Sequence, residues 1–248
     1  MLGLGNSVSN AAYSSAYAVT SSVLLDGADD HITINNSVAN DIKNIGSMSI
    51  WLKNTDAHQN DTIFNLHTGT SNDNKIAILF INQGGSELIR FNSRGSSSNT
   101  LLDHPYAVAL QDGDGSPAWI HFVATWNRTA NTMAMYINGS KVAQSTNSIT
   151  NYATTADTIY IGKPGNANNA FFKGNFSSLS LFDETISDAS VTTLYNNGKP
   201  GDVSKSGIDG LVAWLPLDER EGNFIDRTST GADGVPQNTP TQGDTSVP

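Results

Sequence analysis

The chain has no cysteine and few basic residues, and each shortage excludes a class of protein. Without cysteine there is no disulfide framework, no thiolate metal site and no cysteine nucleophile. Lys and Arg number 13 against 23 Asp and Glu among 248 residues, and the formal net charge is -10. This balance excludes the basic stripe that neutralises phosphates in nucleic-acid-binding proteins, and it disfavours anionic membranes for the same reason.

Targeting and catalytic signatures are also missing. Residues 1–25 contain no cationic stretch ahead of an apolar core and no apolar run of membrane-spanning length. We therefore expect neither a signal peptide nor a transmembrane segment, and synthesis in the cytoplasm. No G-x-S-x-G, H-E-x-x-H or phosphate-binding glycine loop occurs, and the five histidines lack metal-ligand spacing.

What the chain does contain is typical of an all-β protein. Ser, Thr, Asn and Gly separate short stretches in which apolar and polar residues alternate, as in half-buried strands. Residues 75–82 and 87–93 are predicted to pair as a hairpin across a glycine-containing link. Asn138 and Gly139 predict a second hairpin, because this dipeptide tolerates the positive φ angles of a type I′ turn.

One short helix and a set of chain boundaries complete the prediction. Ser187 is a suitable N-cap, and Val191, Leu194 and Tyr195 share one helical face. We predict an N-terminal arm over 1–20, a single domain over 21–233 with a C-terminal strand at 211–219, and an irregular tail over 234–248 that is poor in apolar residues.

Six ordered stretches resemble LamG-like jelly-roll modules of the concanavalin A-like lectin and glucanase superfamily. They cover residues 23 to 200 and are "LDGADDHITI", "SIWLK", "WIHFVATWN", "YINGSKVA", "IYIGKPG" and "ISDASVTTLYNNG". The resemblance implies an antiparallel sandwich of two sheets. The piece that normally opens such a module resembles the C-terminal "GLVAWLPLDE", which implies a permuted module whose last strand completes the sandwich.

Asp26, Asp29 and Asp30 lie within five positions of one another, and the resemblance suggests two roles for them. Some family members hold calcium near the corresponding turn, using the hard oxygen ligands that this ion prefers. The carboxylate that many members carry after the final glycine is replaced here by Ser177. We interpret the three aspartates as a structural turn, and calcium binding, with Asp29 and Asp30 as its strongest ligands, is the alternative.

Candidate ligand-binding residues lie in loops that are rich in Asn and Gly. Sugar rings stack on aromatic side chains, and carboxylates and amides accept hydrogen bonds from hydroxyl groups. The candidates are Tyr106, Asp112, Asp114, Tyr152, Asn166, Asn168, Phe171 and Phe172. For Phe171 and Phe172 the alternative is that they cover the sandwich edge or bury against a second subunit.

The glutamates do not support catalysis. The glucanases of the superfamily carry their nucleophile and acid in a Glu-x-Asp-x-Glu strand, and none of Glu87, Glu184, Glu219 and Glu221 lies in that pattern. Glu219 and Glu221 fall on one side of an extended stretch that aligns with a turn of the family. We therefore expect a protein without enzymatic activity.

The expected function is that of a binding or display module. The ends of the chain resemble LamG-type proteins of marine bacteriophages, which implies a virion surface protein, a capsid decoration or fibre-associated subunit, made in the host cytoplasm. Expected partners are other virion proteins, a cell-surface glycan and further copies of the chain, with a trimer as the working hypothesis. The alternatives are a free calcium-dependent lectin and, third, a glucanase-like hydrolase.

Overall fold

The computed structural model describes residues 17–35, 37–55, 60–67, 75–94, 99–105, 117–147, 149, 156, 158–165 and 170–248. Within these ranges it has fifteen strands, all paired antiparallel in two sheets, two α-helices and one short 3-10 helix. This is the predicted all-β, two-sheet sandwich. The predicted helix is confirmed as α2 (Asp188–Tyr195), and the shorter α1 (Val38–Ile42) was not predicted.

The first sheet has eight strands. In spatial order its path is β10 (Ser140–Ser145), β9 (Thr132–Ile137), β8 (Ile120–Asn127), β3 (Ile45–Asn54), β12 (Lys173–Phe182), β1 (Ser22–Asp26) and β15 (Thr241–Asp244). The eighth strand, β13 (Leu211–Leu215), pairs with the second half of β12, in line with β1 on the first half. Of the predicted strand at 211–219, residues 211–215 are the part that forms β13 and joins this sheet.

The second sheet has seven strands. In spatial order they are β14 (Val235–Gln237), β2 (His31–Asn35), β11 (Thr158–Ile161), β4 (Thr62–His67), β5 (Lys75–Gln83), β6 (Ser86–Arg94) and β7 (Asn99–Pro105). Both predicted hairpins are confirmed, β5 with β6 and β9 with β10. Asn138 and Gly139 have φ angles of 49° and 80°, as a type I′ turn requires.

The main core lies between the sheets, because every second side chain of a strand points to the same face. Ile76, Ile78 and Phe80 of β5 meet residues such as Phe122 and Trp126 of β8, and all are fully buried. A second cluster covers the outer face of the eight-stranded sheet, where α2 packs on that face together with Trp214.

The outer face beneath α2 also holds a buried histidine. The His121 ring lies 5.0 Å from that of Trp51 and 6.0 Å from that of Tyr195, and its Nε2 is 2.8 Å from the Ser49 hydroxyl. Its Nδ1 is buried without a partner. Burial lowers the pKa of His121 to about 3, so the ring is neutral in the folded protein at neutral pH.

The C-terminal segment corrects the predicted irregular tail. Residues 235–237 form β14 on the edge of one sheet, and residues 241–244 form β15 on the edge of the other. Backbone ladder bonds need no apolar side chains, which is why composition alone missed them. Side chains add to the anchoring, since the Ser22 hydroxyl donates to the Ser246 carbonyl and the Asn175 amide to the Asp244 carboxylate.

Asp226 organises the loop that follows β13. Its carboxylate, 7% exposed, accepts hydrogen bonds from the backbone N–H groups of Trp214, Thr228 and Ala232 and from the hydroxyls of Thr228 and Thr230. Burial alone would raise the pKa of Asp226, but the bonds from the backbone and from Thr228 outweigh it, so the pKa is lowered.

Replacing Asp226 with alanine is expected to lower the free energy of unfolding at pH 7 by about 3 kcal/mol, because buried N–H donors lose their charged acceptor. Since the pKa of Asp226 is lowered in the folded state, this stabilisation is present above the ordinary carboxyl pKa and lost as the pH falls below it. Urea unfolding at pH 7 and pH 3 measures both effects. Exposed Asp209→Ala is the control, expected to change stability by less than about 0.5 kcal/mol; a comparable loss in both variants would contradict the role of Asp226.

The burial of His121 predicts a loss of stability on mild acidification. Its unfolded pKa is about 6.5, so between that value and the folded pKa the unfolded chain binds the extra proton. Lowering the pH from 7.5 to 5.0 should therefore cost about 2 kcal/mol from this group. Urea unfolding across this range should show a much flatter pH dependence in His121→Gln and only a slightly flatter one in His104→Gln, because burial lowers the pKa of His104 less than that of His121. Equal slopes in all three proteins would refute the prediction.

Candidate functional site

The three predicted metal-binding aspartates meet in one turn between β1 and β2. One carboxylate oxygen of each lies within 4.8 Å of the others. The Asp26 carboxylate accepts from the N–H groups of Ala28 and Asp29, and the Asp30 carboxylate accepts from the N–H of Asp26. Gly27 provides the left-handed backbone that the turn requires, with φ 79°. These bonds are those of a self-closed Asx turn.

Part of the oxygen set of this turn is engaged within the protein, whereas calcium takes six to eight oxygen ligands. The bonds to the N–H groups occupy one oxygen of Asp26 and one of Asp30. The Asp29 carbonyl is also committed, 2.9 Å from His31 Nδ1 and 2.9 Å from the donating Asn238 amide. Burial raises the pKa of Asp30, with the charges of Asp26 and Asp29 adding to it, and this disfavours the ionised form that a metal needs.

His31 joins this turn to an aromatic group on the outer side of the seven-stranded sheet. Its ring centroid lies 6.1 Å from that of Tyr160 and 6.2 Å from that of Phe171. One predicted ligand-binding residue, Phe171, therefore lies beside the acidic turn, but it is only 8% exposed. The structure thus brings together two sets of residues that the sequence treats separately.

Phe172 corrects the prediction of a ligand-stacking ring. It is fully buried, 4.1 Å between ring centroids from Phe176 and 6.3 Å from Phe80. Consecutive residues of an extended chain point to opposite sides, so Phe172 enters the core while Phe171 meets His31. The other predicted ligand residues lie outside the described part of the chain: Tyr106, Asp112, Asp114, Tyr152, Asn166 and Asn168.

A row of side chains crosses the outer face of the seven-stranded sheet. The strand register places Tyr160 beside Asn65, Asn65 beside Ala77, and Ala77 beside Asn92. Their sequence neighbours, among them Phe64, Ile78 and Phe91, enter the core, so the four side chains of the row point away from it. We call Tyr160, Asn65, Ala77 and Asn92 the asparagine row.

The two amide oxygens of the asparagine row are buried without a hydrogen-bond partner. These are Oδ1 of Asn65 and Oδ1 of Asn92. Asn65 is 3% exposed and Ala77 is 5% exposed, whereas Tyr160 and Asn92 are partly exposed. Ala77 belongs to neither of the two described apolar clusters. Since two strand spacings separate them, the asparagines stand about 10 Å apart.

This arrangement can accept hydrogen bonds from a ligand. A buried polar atom without a partner costs about 1–3 kcal/mol, and a hydroxyl donor from outside would remove that cost. The sequence does not mark Asn65 and Asn92 as ligand-binding residues, because they lie within strands and not in the Asn- and Gly-rich loops. The available signal is an asparagine at an outward position in "TIFNLH" and in "LIRFNSR", next to the apolar residues Phe64 and Leu66 in the first strand and Phe91 in the second.

The acidic residues after β13 are engaged in structural contacts. The Asp218 carboxylate accepts the Tyr17 hydroxyl at 2.8 Å, and Tyr17 packs edge-on against Trp214 at 5.3 Å. Glu219 Oε1 accepts from the Ile225 N–H and from Arg227. Burial raises the pKa of the Tyr17 hydroxyl, with the Asp218 carboxylate adding to it.

The described part of the chain has no helix that is both long enough and apolar enough to cross a membrane.

No curated protein sequence matches the chain. Several solved structures do match the chain, but their sequence identities to it are low and establish the fold alone. A native heptameric SAP-like pentraxin from Limulus polyphemus aligns with a TM-score of 0.62 and 17% identity, over 94% of this chain and all (100%) of that one.

Two further neighbours have names that refer to carbohydrate. A putative carbohydrate binding protein from Bacteroides ovatus has a TM-score of 0.59 at 16% identity, covering 94% of this chain and 62% of that chain. The CBM40 of the Ruminococcus gnavus IT-sialidase, bound to α2,6 sialyllactose, has a TM-score of 0.55 at 14% identity, covering 72% and 100%. The family described as Laminin_G_3 matches residues 26–192. This chain therefore belongs to the concanavalin A-like lectin/glucanases superfamily.

Proposed function

We propose that the chain is a non-catalytic module that binds glycans through the asparagine row. The observation that carries this proposal is the pair of buried, unpartnered amide oxygens on Asn65 and Asn92. Both lie on one face of one sheet, about 10 Å apart, which is within the span of one oligosaccharide. The partly exposed Tyr160 at one end of the row offers an aromatic edge to a sugar ring.

The chemistry of the row suits hydroxylated ligands. Amide oxygens accept hydrogen bonds from hydroxyl groups, and Ala77 lies between the two asparagines in the strand register. A ligand that engages both asparagines must extend across about 10 Å, which is two strand spacings. The names of two structural neighbours, a CBM40 bound to sialyllactose and a putative carbohydrate binding protein, support the same class of ligand.

The absence of catalysis is also part of the proposal. Glu219 already accepts bonds from Ile225 and Arg227, and Glu221 is exposed on the following loop. Most glycoside hydrolases use two carboxyl groups that face one another across the substrate. The asparagine row supplies amides, which neither donate a catalytic proton nor act as a base at neutral pH.

The proposed setting is the surface of a bacteriophage virion, where the module is a capsid decoration or fibre-associated subunit and assembles with its own copies. This setting rests on the resemblance of the chain ends to LamG-type phage proteins. Mass spectrometry of purified particles tests it, because a virion subunit must appear in stoichiometric amounts. Light scattering tests self-assembly, and a monomer at high concentration with no particle-bound form would count against it.

Replacing Asn65 or Asn92 with alanine should weaken glycan binding about tenfold, because each change removes one acceptor for the ligand. A glycan array identifies the ligand, and calorimetry on the best glycan measures the affinity. Asn223→Ala, on an exposed loop, is the matched control and should bind as the unmodified chain does. If both row variants bound the glycan as tightly as the unmodified chain and kept its melting temperature, the asparagine row would not be the binding site. If no glycan on the array bound the unmodified chain, glycan binding itself would be refuted.

The acidic turn is proposed to keep its structure without calcium, since its own N–H groups engage one oxygen of Asp26 and one of Asp30. Adding calcium or EDTA should shift the melting temperature by less than about 1 °C, because a ligand stabilises only the state that binds it. Differential scanning fluorimetry measures the shift, and magnesium serves as the control ion. A calcium-specific rise that Asp29→Asn abolishes would establish the alternative, a metal site at Asp26, Asp29 and Asp30.

A further inference from the structure

A cleft of about 330 Å³ opens on the outer side of the eight-stranded sheet. It lies between strands β9 and β10 and the segment that leads into α2. The asparagine row belongs to the other sheet and faces away from the sandwich on the other side. Small-molecule sites begin at about this volume, so the cleft is large enough for one sugar ring or a ligand of similar size.

Small side chains give the cleft its depth. The strand register places Thr125 beside Ala134, and Ala134 beside Gln144. Thr125 is 3% exposed and Ala134 8%, and both line the cleft as its floor. One wall carries Gln144 of β10, and the other carries Ile186 and Asp188 next to the start of α2. Because Ala134 is short, the walls rise above it on both sides.

One end of the cleft carries one positive and one negative side chain, Lys141 and Asp188, which form an ion pair. Asp188 Oδ1 accepts the Tyr136 hydroxyl at 2.7 Å and lies 2.9 Å from Lys141 Nζ. The ammonium group of Lys141 also lies 5.4 Å from the centre of the Tyr136 ring. The pair lowers the pKa of Asp188 and raises that of Lys141, so both stay ionised near neutral pH and their charges cancel. This end therefore offers no net charge to attract an ionic ligand.

Several polar groups around the floor remain uncommitted. The side chains of Thr125, Thr132 and Gln144 make no hydrogen bond to another described residue, and the same holds for Asp188 Oδ2. They combine hydroxyl, amide and carboxylate chemistry within one cleft, above the methyl group of Ala134 and beside the apolar side chain of Ile186. A few convergent polar groups over an apolar base are the usual features of a site for a small polar ligand.

We propose that this cleft is a second binding site, which takes one neutral sugar ring. Hydroxyl groups of the sugar would exchange hydrogen bonds with Thr125, Gln144 and the Asp188 carboxylate, while its C–H face rests on Ala134. The neutral Lys141 and Asp188 pair selects against charged sugars. This proposal does not rest on the asparagine row, which lies on the other sheet.

A titration followed by two-dimensional amide NMR tests the site. D-glucose, D-galactose and N-acetyl-D-glucosamine are the neutral probes, and glucuronate is the charged one. At least one neutral sugar should shift the signals of Thr125, Ala134 and Gln144, with dissociation constants on the order of 1 mM. Glucuronate at the same concentration should shift them less. The proposal is overturned if no neutral sugar moves these signals or if glucuronate moves them more.

Two variants show whether the cleft itself holds the sugar. Ala134→Leu should abolish the shifts, because the larger side chain fills the floor. Gln144→Ala, at an exposed position, should weaken binding about tenfold and keep the fold. Asn65→Ala is the control and should leave this titration unchanged even if it impairs glycan binding at the other sheet. Unaltered affinity in Gln144→Ala would refute the site even if Ala134→Leu failed to fold.

Discussion

Burial of the facing sides of the two sheets is the constraint on which the rest of the structure depends. Each strand places alternate residues in the common core, so its remaining residues point outward. The outward residues are therefore available for other roles. The C-terminal segment follows from the same constraint, because β13 continues the row that β1 begins along β12, and β14 and β15 extend one sheet each.

The two outer faces are used differently. On the eight-stranded sheet, α2 and Trp214 cover a second apolar cluster, and His121 is held neutral by burial in the same layer. The cleft opens where this cover begins, at Ile186 and Asp188. The seven-stranded sheet carries the asparagine row, whose polar side chains are poorly satisfied within the protein. Unsatisfied groups of this kind are costly, and ligand binding is one reason for a protein to retain them.

The same acidic sequence pattern can form either a calcium site or a turn closed by its own hydrogen bonds, and the turn between β1 and β2 has such bonds. Asp26, Asp29 and Asp30 have the residue types of a calcium site, yet N–H groups of the same turn engage one oxygen of Asp26 and one of Asp30, and the Asp29 carbonyl accepts from the Asn238 amide. The turn fixes the path from β1 to β2, and through His31 it also positions the aromatic group beside the asparagine row. Its contribution to the proposed site is therefore positional.

The sequence by itself determined the sandwich class, both hairpins and α2, because alternation, an Asn-Gly turn and a helix cap are local signals. It also indicated that β13 completes a sheet. Only the tertiary structure decided that residues 235–237 and 241–244 become edge strands, since backbone pairing leaves little trace in composition. It likewise decided that Phe172 enters the core and that Asn65 and Asn92 share one face. The pairing of β4 with β11 brings together strands distant in sequence, and no hairpin turn fixes which strands become neighbours there.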